Sequence, residues 1–366
     1  MRFVWLGAVL TGCGASVHAS AVAPAACGGA SRPPAAVSPS RLGAVDFLSA
    51  EVGVGLTAPT HGCGATLAVT RDGGRHWLTE GTPLPGPPSG VPAEHVAATS
   101  TVRAWASTGA GPLMATTTGG DSWTVQPVPG PIVAVDISGP TLWALGCPHT
   151  NNVSCRPVLA RRRVAGGEWR RLPLPRLDSD PDPELAPASA STVLLHLLRP
   201  GASGGTLLES SDAGVRWTRP PDPVWRGRPC WGAGFVTAGP RDWWLICIGG
   251  AAAGSSTKAL LHTTDAGVSW HVASQVTSLT APPRPGAITL AEPDALAAGS
   301  PARLWLAAQN SLYESDDGGV RWTRARGPNP QGSPASFDVL SPTRAWLLAP
   351  GQGLWRTTDG RRWRAL

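Results

Sequence analysis

The chain has a single lysine, Lys258, a single tyrosine, Tyr313, four Phe and two Met, and charged residues fill only 15% of its 366 positions. The net charge of +6 therefore rests on arginine, and no continuous basic run forms an arm for nucleic acid. Cys-x-x-Cys and His-x-x-x-His spacings are both missing, as is a Gly-rich strand-to-helix turn that would cradle phosphate, so no metal or cofactor is indicated. No stretch reaches the roughly 18 apolar residues of a membrane-spanning helix.

Gly (45) and Pro (38) are abundant beside 42% apolar residues, a balance that suits many short strands joined by tight turns. Trp is over-represented at 17 copies, which points to one structural position filled repeatedly. That position belongs to the pattern Ser/Thr-x-Asp-x-Gly-x-x-Trp. It is intact at Thr70/Asp72/Gly74/Trp77, Ser210/Asp212/Gly214/Trp217, Thr263/Asp265/Gly267/Trp270 and Ser315/Asp317/Gly319/Trp322. Three further copies are degraded. Thr116/Thr118/Gly120/Trp123 lacks the Asp, Gly166-Gly167-Glu168-Trp169 keeps only the Gly-Trp end, and Thr357/Asp359/Gly360/Trp363 is one residue short.

The seven Trp are 46, 46, 48, 53, 52 and 41 residues apart. A period of that length with turn signals inside each unit predicts one four-stranded antiparallel blade per repeat, hence an all-β, seven-bladed β-propeller over residues 42–366. Apolar runs at 45–48, 133–137 and 336–340 read as innermost strands. A second strand follows, carrying Trp105, Trp143, Trp243, Trp305 or Trp346, and a third leads into the Asp turn. In that turn a carboxylate such as Asp72, Asp212, Asp265, Asp317 or Asp359 accepts backbone N–H groups, Gly permits positive φ and Trp buries a large surface, so its role is structural.

Residues 1–13 read as a secretory signal, with Leu10-Thr11-Gly12-Cys13 matching the bacterial lipobox in which Cys13 is lipidated; plain secretion is the alternative. Residues 14–41, rich in Ala, Pro and Ser, read as a flexible spacer. Export leaves six cysteines for disulfides. Cys230 and Cys247 are symmetric about the turn at Ala238-Gly239, Cys147 and Cys155 about Asn151, and Cys27 is left to reach Cys63.

These repeats resemble the BNR or Asp-box superfamily, which includes sialidases, sortilin-type receptors, xyloglucan-processing glycosidases and photosystem II assembly and stability factors. The unit Phe337-Asp338-Val339-Leu340-Ser341-Pro342-Thr343-Arg344-Ala345-Trp346 and the blade count are most similar to the assembly-factor group. That resemblance implies a propeller fold more securely than a role. A sialidase needs a Tyr nucleophile, whereas Tyr313 directly precedes an Asp box in an outer position, so that activity is not expected.

Asp46, Asp136 and Asp338 occupy equivalent places in innermost strands. A repeated Asp of this kind is expected to bond backbone groups, and a glycosidase acid/base pair is the alternative. Arg103, Arg241, Arg303 and Arg344 all stand two residues before the second-strand Trp, which predicts a ring at the channel mouth able to attract an anionic partner. The denser cluster Arg161, Arg162, Arg163, Arg170 and Arg171 reads as a solvated face. The expectation is thus an exported, lipid-anchored, monomeric scaffold that binds a protein or polysaccharide without catalysis and without nucleic acid. A glycoside hydrolase or lyase using the inner carboxylates is the alternative, and a purely structural envelope protein a third reading.

Overall fold

The computed structural model describes residues 33–58, 64–84, 94–108, 111–148, 156–175, 182–198, 205–230, 232–328 and 336–366. Seven innermost strands, Leu42–Phe47, Glu94–Ala98, Ile132–Ser138, Asp182–Pro187, Gly232–Thr237, Pro293–Ala298 and Ser336–Ser341, each touch the next, and the last touches the first. Each opens an antiparallel sheet, so the chain is a closed seven-bladed propeller. A 3-10 turn at Pro39–Arg41 is the one helical element among the described residues.

A blade in a ring is sandwiched between two neighbours, so its second strand must be apolar on both faces. Accordingly Ala104–Thr108, Thr141–Gly146 and Leu304–Ala308 are buried at every position. The core lies in the layers between blades. Trp105 packs with Leu142, Trp143 with Leu195, Trp305 with Leu347, and Trp77 with Trp346.

The Asp turns hold as local chemistry demands. Asp72 Oδ1 accepts the N–H groups of Arg75 and His76, Asp212 those of Val215 and Arg216, Asp265 that of Ser269, Asp317 that of Arg321, and Asp359 those of Arg361 and Arg362. Blade 2 has lost the carboxylate, but the Thr118 hydroxyl accepts the Ser122 N–H in its place. Burial pushes Asp72 up, yet the hydrogen bonds from His76 and Thr70 outweigh it and hold the group at about 2.

The turns also join blades. The indole N–H groups of Trp244, Trp305 and Trp346 donate to the carbonyls of Gly318, Gly360 and Gly73, each at 3.0 Å and each directly after the Asp of the following blade's turn. The third of these bonds closes the ring from blade 7 to blade 1, where Phe47 stacks on Trp346 at 3.7 Å. All four strands of blade 7 come from Ser336–Ala365, so closure uses side chains and face packing without exchange of a strand.

Three features depart from the sequence reading. Within the expected spacer 14–41, Ala35–Val37 forms a fifth strand on blade 1, paired with Trp77–Glu80. The outermost strand of a blade presents unpaired backbone groups, and the approaching chain satisfies them. Blade 4 has three strands, its outer one reduced to a bridge between Glu209 and Thr218. Finally, the fifth-blade counterpart of Trp105, Trp305 and Trp346 is Trp244. Trp243 is paired with Thr263, the first residue of its Asp turn, as Leu304 is with Ser315, and it faces blade 4 with Leu194 and Leu207.

Cys230 and Cys247 form a disulfide with their Cα atoms 5.1 Å apart. Cys147 is disulfide-bonded, while Cys155, Cys27, Cys63 and the lipobox Cys13 lie outside the described residues.

Candidate functional site

Two places bring chemistry-bearing side chains together, and one expected from the sequence does not. The first is the central channel, where a cavity of about 580 Å³ is lined by Asp46, Asp136 and Asp338 among apolar side chains such as Val96, Val236 and Leu296. Asp46 Oδ2 accepts the Ala98 N–H of blade 2 at 2.6 Å, and Asp338 Oδ2 accepts the Phe47 N–H of blade 1. An inner-strand carboxylate thus reaches across to the next blade and satisfies an amide that would otherwise be buried without a partner.

Asp136 breaks this pattern for a reason visible in the register. Phe47 and Ala98 are the inner-strand residues that align, through the second strand, with the first residue of the Asp turn, Thr70 and Thr116. In blade 4 the same register position, aligned with Ser210 through Val193, is Pro187. Proline has no N–H to offer, and Asp136 accepts instead from its own neighbour Ile137. Burial raises Asp136 to about 7, the Ile137 amide lowering and the Asp46 charge adding to the shift. Burial also lifts Asp46 to about 6, and it holds Asp338 well above the carboxylate range with help from the Asp46 charge.

The second place was to be the arginine ring, and the four residues do not form one set. Arg303 is buried and paired with Glu314 and Asp316 of its own blade. Arg103 donates from Nη1 to the Val164 carbonyl of blade 3 at 3.4 Å. Arg241 lies one step out of register, because Trp244 is the equivalent Trp and Asp242 fills the position of Arg103 and Arg303, its carbonyl accepting the Ala238 N–H as theirs accept Thr99 and Gly299. Of the four, only Arg241 and Arg344 are exposed. The sequence spacing was misleading because two adjacent Trp, 243 and 244, offer two alignments.

The third place is the cluster expected as a solvated face. Arg163, Arg170 and Arg171 are exposed as expected, but Arg161, Arg162, Arg163 and Arg170 also line a cavity of about 600 Å³ between blades 3 and 4, together with Gly167 and Glu168. Sequence reasoning missed it, although the signal was present: in the third repeat the Ser/Thr and Asp positions of the turn hold Arg162 and Val164. Among the described residues no group of three or more His, Cys, Asp or Glu side chains is placed to hold a metal ion.

No protein-family model and no curated protein matches the chain. Among solved structures it is similar to YCF48 bound to a D1 peptide, at 17% identity and a TM-score of 0.59, covering 90% of this chain and 96% of that one. YCF48 from Cyanidioschyzon merolae is 14% identical with a TM-score of 0.41, covering 72% and 94% of the two chains. The GH93 α-L-arabinofuranosidase of Fusarium graminearum with arabinobiose is 12% identical with a TM-score of 0.47, covering 75% and 92%. The first of these likenesses carries the fold: the chain has the propeller architecture on which YCF48 is built.

Proposed function

We propose that the protein is an extracytoplasmic propeller, tethered through Cys13, that captures a protein or glycan partner without transforming it. The observation that carries this reading is the use of the inner carboxylates: Asp46 and Asp338 are engaged by backbone amides of adjacent blades, so two of the three groups available for acid/base chemistry serve ring assembly. The fold likeness to YCF48, whose solved structure holds a D1 peptide, supports a protein partner. The Cys230–Cys247 disulfide supports an oxidising compartment.

The alternative, a glycoside hydrolase or lyase, has one observation in its favour. Asp136 lacks the inter-blade amide and its acidity is shifted toward neutrality, as a general acid requires. Proximity labelling in the native host with the full chain tests the leading reading, a reproducible envelope partner being the expected result. Hydrolysis or cleavage of any member of a polysaccharide panel, lost on Asp136→Asn, overturns it. Incorporation of labelled fatty acid that disappears on Cys13→Ser tests the tether.

A further inference from the structure

Six of the seven turns keep a side-chain oxygen that accepts N–H groups one or two residues before the Trp; the turn of blade 3 keeps none. Val164 stands in the Asp position, and the N–H groups of Gly167 and Glu168 have no acceptor among the described residues. The space that neighbours fill elsewhere is open here. A Cβ placed on Gly74 or Gly319 would meet leucine side chains of the preceding blade, at 2.9 and 2.2 Å, whereas one on Gly166 or Gly167 meets nothing within 4 Å.

Four guanidinium groups and the Glu168 carboxylate line the cavity at this turn, with the Asp212 carboxylate acting on Arg161 from outside the lining. Among the described residues none of the four is in an ion pair. Arg162 is fixed by a bond from Nη1 to Gln126 Oε1 at 3.1 Å and lies over the Trp169 ring, yet its buried Nε has no partner. Burial first, and then the Arg170 charge, holds Arg161 below the ordinary guanidinium value, with Asp212 opposing. Like charges are thus gathered in a partly enclosed space next to backbone donors of a turn that has Val164 where other repeats carry the carboxylate.

We propose that this cavity binds a tetrahedral oxyanion, a phosphate or sulfate group, with the turn amides of Gly167 and Glu168 and the guanidinium groups of Arg161, Arg163 and Arg170 as donors. A dianion fits the excess of positive charge among the lining side chains, four guanidinium groups against one carboxylate, better than a single carboxylate does. The inference goes beyond partner capture, since it assigns a place and a ligand chemistry, and its failure would leave capture by other surfaces untouched.

The test is calorimetric titration of the full chain with inorganic phosphate, sulfate, glycerol phosphate and succinate at constant ionic strength. Saturable binding of phosphate or sulfate is expected, weakened at least tenfold in Arg161→Gln/Arg170→Gln and in Val164→Asp, which restores the internal carboxylate to the turn. Arg324→Gln, an exposed arginine on blade 6, should bind as wild type does. Tighter binding of glycerol phosphate than of phosphate would identify an esterified group as the natural ligand. Absence of saturable binding, preference for succinate, equal loss in Arg324→Gln, or undiminished affinity in Val164→Asp folded by circular dichroism would each overturn the proposal.

Discussion

Asp338 in the last blade accepts the backbone N–H of Phe47 in the first, so a single carboxyl spans the junction at which the ring closes. Replacing it by Ala leaves that amide buried without an acceptor and should cost about 1–3 kcal/mol in urea unfolding at neutral pH. Asp338→Asn keeps an acceptor oxygen and removes the burial of a charge. It should be at least as stable as wild type, and an Asn variant as unstable as the Ala variant would refute the role.

Asp136 has no such partner across the blade boundary, and burial raises it as it raises Asp46 and Asp338. Its folded value of about 7 lies above the ordinary 3.8, so the folded state binds more protons between those values and stability falls as pH rises through them. Asp136→Asn should therefore gain stability over wild type, on the order of a few kcal/mol at pH 8. The gap should close near pH 4. Parallel unfolding curves across that range are the measurement, and a constant gap would be the contrary result.

The indole of Trp346 donates to Gly73 across the closure, whereas that of Trp105, facing the degraded turn of blade 3, finds no acceptor among the described residues. Trp→Phe removes similar ring area at both sites but a hydrogen bond only at Trp346. The Trp346→Phe variant should be the less stable by about 1 kcal/mol in denaturant titration. Equal losses would show that packing alone holds the junction.

The one lysine of the chain is buried, and the three protons of its ammonium are shared among the carbonyls of Ser256, Thr289, Leu290 and Ala291, fastening the segment that leads into blade 6 against blade 5. Lys258→Met conserves much of the volume but strands those carbonyls, and should cost about 3 kcal/mol in thermal unfolding followed by calorimetry. A melting temperature equal to wild type would contradict it.

Much of the fold was legible because its signals are local. An Asp turn is complete within eight residues, so Asp265 and Asp317 find their amides locally, and seven repeats, five of them with the Asp, fix the number of blades. The fifth strand at Ala35–Val37 was not legible, since a short apolar segment in an Ala/Pro-rich stretch becomes a strand only where an open sheet edge receives it. The candidate sites were less legible still. Arg303 and Arg344 hold the same repeat position, yet one is buried against Glu314 and Asp316 and the other is exposed.

By itself the sequence determined the repeat, the blade count, the turn chemistry and the apolar second strands, all consequences of residues that are neighbours along the chain. Only the tertiary structure decided which carboxyl serves which blade, that Pro187 deprives Asp136 of an amide, that Trp244 and not Trp243 continues the ring, and that an arginine run encloses a cavity. Those outcomes depend on side chains one repeat apart meeting across a blade boundary, where a single step of register exchanges the residue that faces the neighbour for the one that turns away.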